Sequence, residues 1–249
     1  MSRLIRIVAK GIAWLASLLP QPALELMLNR AITHRSQSLP ADEALRFLFR
    51  LDAELYALQG PLAGVYGDGV HTKHKHTSYH DFFIERIRAD ERVLDIGCGL
   101  GAVAHDIALR TGATVHGIDL NEDSIAEAKR RFQLPNLSFA VQDALKLDAE
   151  TPFDTIVLSN VLEHIMERPD FLKSAMQKTA AKRIFIRVPL FERDWRVPLK
   201  KELGVEWRLD LDHKTEFTLE QFAQETSEAG LELVHQEVHW GEVWAELHV

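Results

Sequence analysis

Residues 93–102, Val-Leu-Asp-Ile-Gly-Cys-Gly-Leu-Gly-Ala, constrain the fold of this chain more than any other stretch. Residues 92–96 read as a short buried strand, three glycines follow at alternate positions, and a helical pattern begins near Ala102. A glycine turn between strand and helix lets a ligand come close to the backbone, because no Cβ stands in the way. Asp95, two residues before the first glycine, sets this turn apart. A turn that only cradles a pyrophosphate has little use for an anion there, whereas a ligand carrying positive charge can use it.

A second strand, residues 114–118, ends on Asp119, 18 residues after Gly101. An acid at the end of the next parallel strand of a nucleotide fold can accept both hydroxyl protons of a ribose. A third acid, Asp143, closes the apolar run at 137–142. The glycine spacing is not the Gly-x-Gly-x-x-Gly of dinucleotide enzymes, although Ala102 can occupy the third small position. With its three strand-ending acids, the stretch from about residue 80 to 245 resembles the class I S-adenosylmethionine (SAM)-dependent methyltransferases.

That resemblance implies a fold, a cofactor and a set of contacts. The fold is α/β: a doubly wound, mostly parallel, seven-stranded Rossmann-like sheet with a C-terminal antiparallel hairpin. The cofactor is SAM, with S-adenosylhomocysteine as product. Gly97, Gly99 and Gly101 lie along the methionine part, with Asp95 near the ligand's ammonium. Asp119 holds the ribose and Leu120 packs on adenine. Asp143 bonds the adenine amino group, and the Ala144 amide bonds a ring nitrogen. Asn160 belongs to the cofactor-binding set, in the segment Ser159-Asn160-Val161-Leu162-Glu163-His164 that follows the fourth strand. That segment resembles the one small-molecule O- and C-methyltransferases carry there. The Asn/Asp-Pro-Pro-Tyr of amino-methylating nucleic-acid enzymes is absent, as is a Pro-Cys nucleophile.

Composition bounds the partners. The net charge of -8 argues against nucleic acid as the main partner, since phosphate binding favours a basic surface. The single cysteine, Cys98, excludes an internal disulfide, gives no sign of an oxidising compartment, and reads as a space-filler in the turn. Residues 1–50 carry seven Lys/Arg against three Asp/Glu, so the remainder is the more acidic part.

The N-terminus reads as a helical extension over residues 1–77, followed by a SAM-binding domain over 78–249. Residues 3–19 form a basic amphipathic helix containing Trp14, too short and too interrupted by charge to span a bilayer. It suits the surface of an anionic membrane, or equally a seat on the catalytic domain or a second subunit. Its basic start resembles a secretory signal, but Pro20-Gln21-Pro22 follows where a cleavage site would stand. A second apolar segment runs over 23–32, and an amphipathic helix over 43–58 is expected to break at Gly60-Pro61. Residues 71–80 hold His71, His74, His76 and His80 with flanking lysines, read as a loop. Their spacing matches no closed zinc geometry and cysteine partners are absent, so no metal is assigned; a substrate-facing loop, a solvated one and, as the least favoured reading, a metal site stay open. A helix is expected over 78–87, with Phe82, Phe83, Ile84 and Ile87 inward.

Strands alternating with helices through residue 188 mean a parallel, doubly wound sheet. Thr218-Leu219-Glu220-Gln221 reads as a capping box opening the last helix, and residues 231–239 and 242–249 as the hairpin. Residues 189–217 form a long insertion, expected to be a lid. Within it His213 is the first candidate for general base, with Asp210 or Asp212 fixing its tautomer. His164 is the second candidate, as a base or by orienting the substrate. The expected function is transfer of a methyl group, most readily to an oxygen of a small-molecule or a lipid- or glycan-linked acceptor. The expected site is cytoplasmic, with peripheral membrane contact through residues 3–19. A membrane-associated SAM-binding assembly protein without turnover is the alternative.

Overall fold

The computed structural model describes residues 3–147 and 152–249. Two compact units result, one of Met1–Leu58 with Lys200–Glu206, the other of Gln59–Leu199 with Trp207–Val249.

The first unit begins with helices α1 (Arg3–Ser17) and α2 (Gln21–Gln37) and contains most of α3 (Ala41–Tyr66). The side chains of Arg3, Leu4, Ile5 and Arg6, part of the expected amphipathic face, lie outside the described residues. From Ile7 onward the apolar face of α1 is solvent-exposed, Trp14 at 65%. Among the described residues no helix is long and apolar enough to cross a membrane. Arg46 Nε donates to the Leu203 carbonyl at 3.0 Å, which ties α3 to the 200–206 segment. Lys200 joins the same contact, 3.6 Å from Asp52 and above the Phe49 ring.

Helix α3 does not end at Gly60-Pro61 as the sequence suggests; it continues to Tyr66 with Pro61 inside. A proline removes one backbone donor and crowds one carbonyl, a local defect that flanking turns can absorb. The histidine-rich stretch is not all loop either. It forms the short helix α4 (Lys73–Thr77), separated by a left-handed Ser78 from α5 (Tyr79–Ile84). Phe82, Phe83 and Ile87 are buried as expected, while Ile84 is only partly so.

In the second unit the strands are β1 (Arg92–Ile96), β2 (Thr114–Asp119), β3 (Leu137–Val141), β4 (Thr155–Ser159), β5 (Arg183–Pro189), β6 (Glu232–His239) and β7 (Glu242–His248). They form one sheet in the order β3-β2-β1-β4-β5-β7-β6, parallel through β5, with β7 antiparallel to β5 and β6 to β7. The connecting helices are α6 (Ala102–Thr111), α7 (Glu122–Arg131), α8 (Arg168–Thr179), α9 (Arg196–Glu202) and α10 (Leu219–Glu228).

Period-two alternation divides the core between the sheet's two faces. Leu94, Ile96, Ile156, Leu158, Ile184 and Ile186 join Phe171 and Leu172 of α8 and Phe222 of α10 in one cluster. Val93, Val115, Val157 and Phe185 join Phe83 of α5, Ile107 of α6 and Ile125 of α7 in the other. With helices on both faces, the inner strands read as continuous apolar runs. The chain winds outward from β1 to β3, then returns to the other side of β1 with β4. The crevice beyond the carboxyl ends of β1 and β4 is therefore the topological switch point, where open α/β sheets bind ligands.

Candidate functional site

The glycine turn closes β1 onto β2. The amides of Gly97 and Cys98 both donate to the Ile118 carbonyl, at 2.8 and 3.0 Å. Gly97, Gly99 and Gly101 all have positive φ, and the turn delivers the chain into α6 with Gly101 as its N-cap. A Cβ on Gly97 would sit 2.4 Å from Val161 Cγ2, and one on Gly101 2.6 Å from Phe139 Cζ. Around Gly99 the space is open. Two of these glycines permit close packing, and the third leaves room for a ligand.

Asp119 braces the turn. Its Oδ2 accepts the Gly99 amide at 2.9 Å and its Oδ1 the Asn121 amide at 2.8 Å. Each carboxylate oxygen keeps a further lone pair for ribose hydroxyls. Asp95 is 1% exposed and its Oδ2 has no hydrogen-bond partner. Burial, and then the neighbouring Asp119 charge, pushes its carboxyl up to about 8. Burial and the same two acids also push the Cys98 thiol upward, so the turn cysteine is held as a thiol and packs as a small apolar group.

A cavity of about 250 Å³ opens at the switch point. Asp95, Gly97, Gly99 and Asn160, four of the expected cofactor residues, line it together with Tyr79 and Arg187. Gly101, Asp119, Leu120, Asp143 and Ala144 lie outside this lining, on the adjoining turn and the ends of β2 and β3. Ligand pockets usually span roughly 300–1,000 Å³, so the cavity fits one end of a nucleoside-bearing ligand, with the rest along β2 and β3. Leu120 is exposed there. Asp143 accepts the Leu145 amide at 3.0 Å and caps the one-turn helix Ala144–Lys146.

Arg187 and Tyr79 were not singled out by sequence reasoning. Arg187 is buried, bonded twice to Glu242 at 2.6 and 2.7 Å and once to Ser159 at 3.0 Å, with its guanidinium 3.7 Å from the Tyr79 ring centre. An arginine inside the apolar run of β5 was the available signal. The histidine-rich segment divides its roles. His71 and His74 line the cavity, whereas buried His80 is held by Asp106 at 2.6 Å and by His74 at 2.8 Å. Exposed His76 takes part in neither arrangement.

Asn160 follows β4 in a left-handed conformation, its Oδ1 buried without a partner. Three residues on, in the one-turn helix Leu162–His164, Glu163 is fully buried, and burial pushes its carboxyl up to about 7 against the pull of nearby His213 and Arg187. His164 and His213 come together, ring centres 4.8 Å apart and edge to face. Neither lines the cavity, and His213 is only 4% exposed. Its Nδ1 meets Glu216 at 3.1 Å, so Glu216, rather than Asp210 or Asp212, sets the tautomer. Glu163, His164 and His213 present ligand-capable atoms within 4.8 Å of one another.

The insertion carrying His213 is pinned at its ends. The amides of Phe191 and Phe217 pair with the carbonyls of Phe217 and Pro189, and α9 lies within it.

Residues 87–205 match a family model described as a methyltransferase domain. The ubiquinone biosynthesis O-methyltransferase of Bradyrhizobium diazoefficiens is 29% identical over 120 residues, 47% of this chain and 47% of that protein. The chain spans about half or less of the length of the curated relatives it matches first. Among solved structures, magnesium protoporphyrin IX methyltransferase (ChlM) of Synechocystis, with bound S-adenosylhomocysteine, superposes with a TM-score of 0.56 at 16% identity, over 70% of this chain and 83% of that one. The small RNA methyltransferase HEN1 also gives 0.56, at 20% identity, over 69% of this chain and 25% of that one. A shared fold at such identities leaves the acceptor open.

Proposed function

We propose, from the methyltransferase domain matched over residues 87–205, that this chain is a class I SAM-dependent methyltransferase transferring a methyl group to an oxygen of a small-molecule or a lipid- or glycan-linked acceptor. The observation that carries the reading is the orphaned Asp95 carboxylate, buried at the wall of the switch-point cavity. An unpaired buried carboxylate is costly, and a ligand bearing an ammonium compensates it.

When bound, SAM supplies a sulfonium methyl for an in-line displacement. The chain's residues bind and orient. Asp95 faces the ammonium, and the Gly97–Gly99 backbone runs along the methionine. Asp119 offers its free lone pairs to the ribose. Asp143, the Ala144 amide and Leu120 receive the adenine, and Asn160 closes the site from β4. Arg187, Tyr79, His71 and His74 give the cavity a polar wall suited to a hydroxylated acceptor. His213 and His164, outside the cavity lining, are the candidates for taking the acceptor's hydroxyl proton in the metal-free protein. Helix α1, exposed along its apolar face, is assigned to the surface of an anionic membrane, on its cytoplasmic side.

The test is methyl-labelled SAM with fractionated extract of the source cells: small solutes, lipid, polysaccharide, protein and RNA. Label in the first three fractions, absent with Asp119→Ala, is the expected result. Label confined to RNA or protein would overturn the acceptor class. SAM bound with no label in any fraction would return the chain to a binding role.

A further inference from the structure

Four buried side-chain polar atoms among the described residues have no hydrogen-bond partner: Asp95 Oδ2, Asn160 Oδ1, and both Oε1 and Oε2 of Glu163. Native proteins leave few such atoms, and each calls for a physical explanation. All four follow from the same switch point, on β1 or just after β4. A cationic ligand accounts for Asp95. Glu163 lies outside the cavity lining, and the Asn160 side chain and its own backbone amide beside it bring no positive charge, so it calls for a different partner.

The surroundings of Glu163 specify what that partner is. Glu216, whose carboxylate oxygens can only accept, takes the hydrogen bond from His213 Nδ1, which leaves Nε2 as the nitrogen turned toward Glu163. Nε2 stands 4.0 Å from Glu163 Oε1, a gap too wide for a hydrogen bond. His164 brings a second imidazole to the same gap. The backbone fixes the spacing, since the amides of Lys214 and Thr215 both donate to the Glu163 carbonyl, at 2.7 and 3.3 Å. Behind His213, Glu216 is itself held by Arg193 and by the Leu209 amide. A histidine whose far nitrogen is oriented by a buried carboxylate is the usual outer support of a metal ligand.

We propose that Glu163, His164 and His213 form a binding site for a divalent transition-metal cation next to the SAM cavity. Two imidazole nitrogens and one carboxylate oxygen suit zinc, manganese, iron or cobalt, and leave coordination positions open. Asn160 spans the two sites, lining the cavity three residues before Glu163. Resting on the methyltransferase reading, an acceptor oxygen taking one of those open positions would meet a Lewis acid, which would favour loss of its hydroxyl proton to water before the oxygen takes the methyl.

The test needs no acceptor. Chelator-treated full-length protein is titrated with Co2+, followed by its visible absorption, and with Mn2+, followed by the electron paramagnetic resonance of the free ion. One saturable equivalent is expected. Glu163→Gln, His164→Asn and His213→Asn should each abolish it or weaken it at least tenfold. Glu216→Gln, one shell out, should weaken it roughly 10–100-fold. S-adenosylhomocysteine titration of every variant checks that the fold is intact. Asp95→Asn should give the reverse pattern, losing S-adenosylhomocysteine and keeping cobalt, so failure of the methyltransferase reading stays separate. Absence of saturable binding in the wild type overturns the proposal. So does binding that survives unchanged in Glu163→Gln and His213→Asn, which would move the cation to another of the histidine groups.

Discussion

At the scale of single residues, Asp95 makes the sharpest pH prediction. Its carboxyl is raised from 3.8 to about 8 in the folded protein. Between those values the unfolded chain has lost the proton and the native state keeps it, so this group's contribution to stability falls as pH rises. Asp95→Asn should therefore flatten the stability profile between pH 4 and 8, by up to about 1.4 kcal/mol per pH unit. Urea titrations of both proteins at pH 5, 6 and 7 measure the difference. An ammonium beside Asp95 favours the carboxylate, so SAM affinity should rise toward pH 8 with proton release, and the variant should lose that linkage. Calorimetry in two buffers of unlike ionisation enthalpy reads it directly. The glycines give a second contrast. Gly101→Ala forces a Cβ against Phe139 and Ala128 at φ +80 and should cost on the order of 2–4 kcal/mol, overpacking added to backbone strain. Gly99→Ala meets open space at φ +51, should cost only about 1–2 kcal/mol, and should weaken SAM binding instead. Equal losses of stability would contradict the division between packing and ligand glycines. These residues were legible because their spacing along the chain is local. The pairing of Glu163 with His213 was not, because residues about fifty apart meet only through the return of β5 and the insertion after it.

Helices and strands obey the signals that are strongest at their length. Alternating short apolar runs gave the strands, since a strand buried on both faces leaves no polar position to blur the pattern. The last helix starts where Thr218 and Gln221 indicate, with the Gln221 amide bonded to Thr218 Oγ1 at 3.0 Å. Only half of the reciprocal box forms, because the Gln221 side chain turns to Thr215 and Glu225 instead. Thr218→Ala should accordingly cost about 1 kcal/mol, the value of a single cap, while Gln221→Ala should leave the cap bond to Thr218 in place. Chemical denaturation of both variants separates the two contributions; a larger loss from Gln221 would mean that its bonds to Thr215 and Glu225 outweigh the cap. Pro61 was misread because a breaker signal predicts the local cost of continuing a helix, not whether the turns on either side can sustain it. The insertion at 189–217, expected to be a lid, has its two ends pinned together by backbone bonds, and residues 200–206 group with the first unit.

Over the whole molecule, charge and apolar surface are distributed in opposite ways. The acidic second unit buries its large apolar side chains in two clusters on the sheet. Helix α1 and the turn after it, within the more basic first fifty residues, leave Ile7, Val8, Ile12, Trp14, Leu15 and Leu18 exposed. Each large apolar side chain moved out of water is worth about 1.5–3 kcal/mol when fully buried, so on the proposed membrane contact partial burial of six would supply a reversible anchor. The basic side chains of the same region add attraction to anionic lipid, which salt screens. Full-length protein should therefore float with vesicles containing phosphatidylserine, bind neutral vesicles less, and dissociate partly as salt rises. Removal of residues 1–19 should abolish flotation and leave S-adenosylhomocysteine affinity within about twofold, because none of the described side chains of α1 lines the cavity or joins either core cluster. Flotation unchanged by the truncation would put the membrane contact elsewhere. If truncation instead lowers oligomeric mass without affecting flotation, the exposed face of α1 belongs to a second copy of the chain. The sequence could frame this choice but not settle it, since an amphipathic helix has the same pattern whether lipid or protein covers its apolar side.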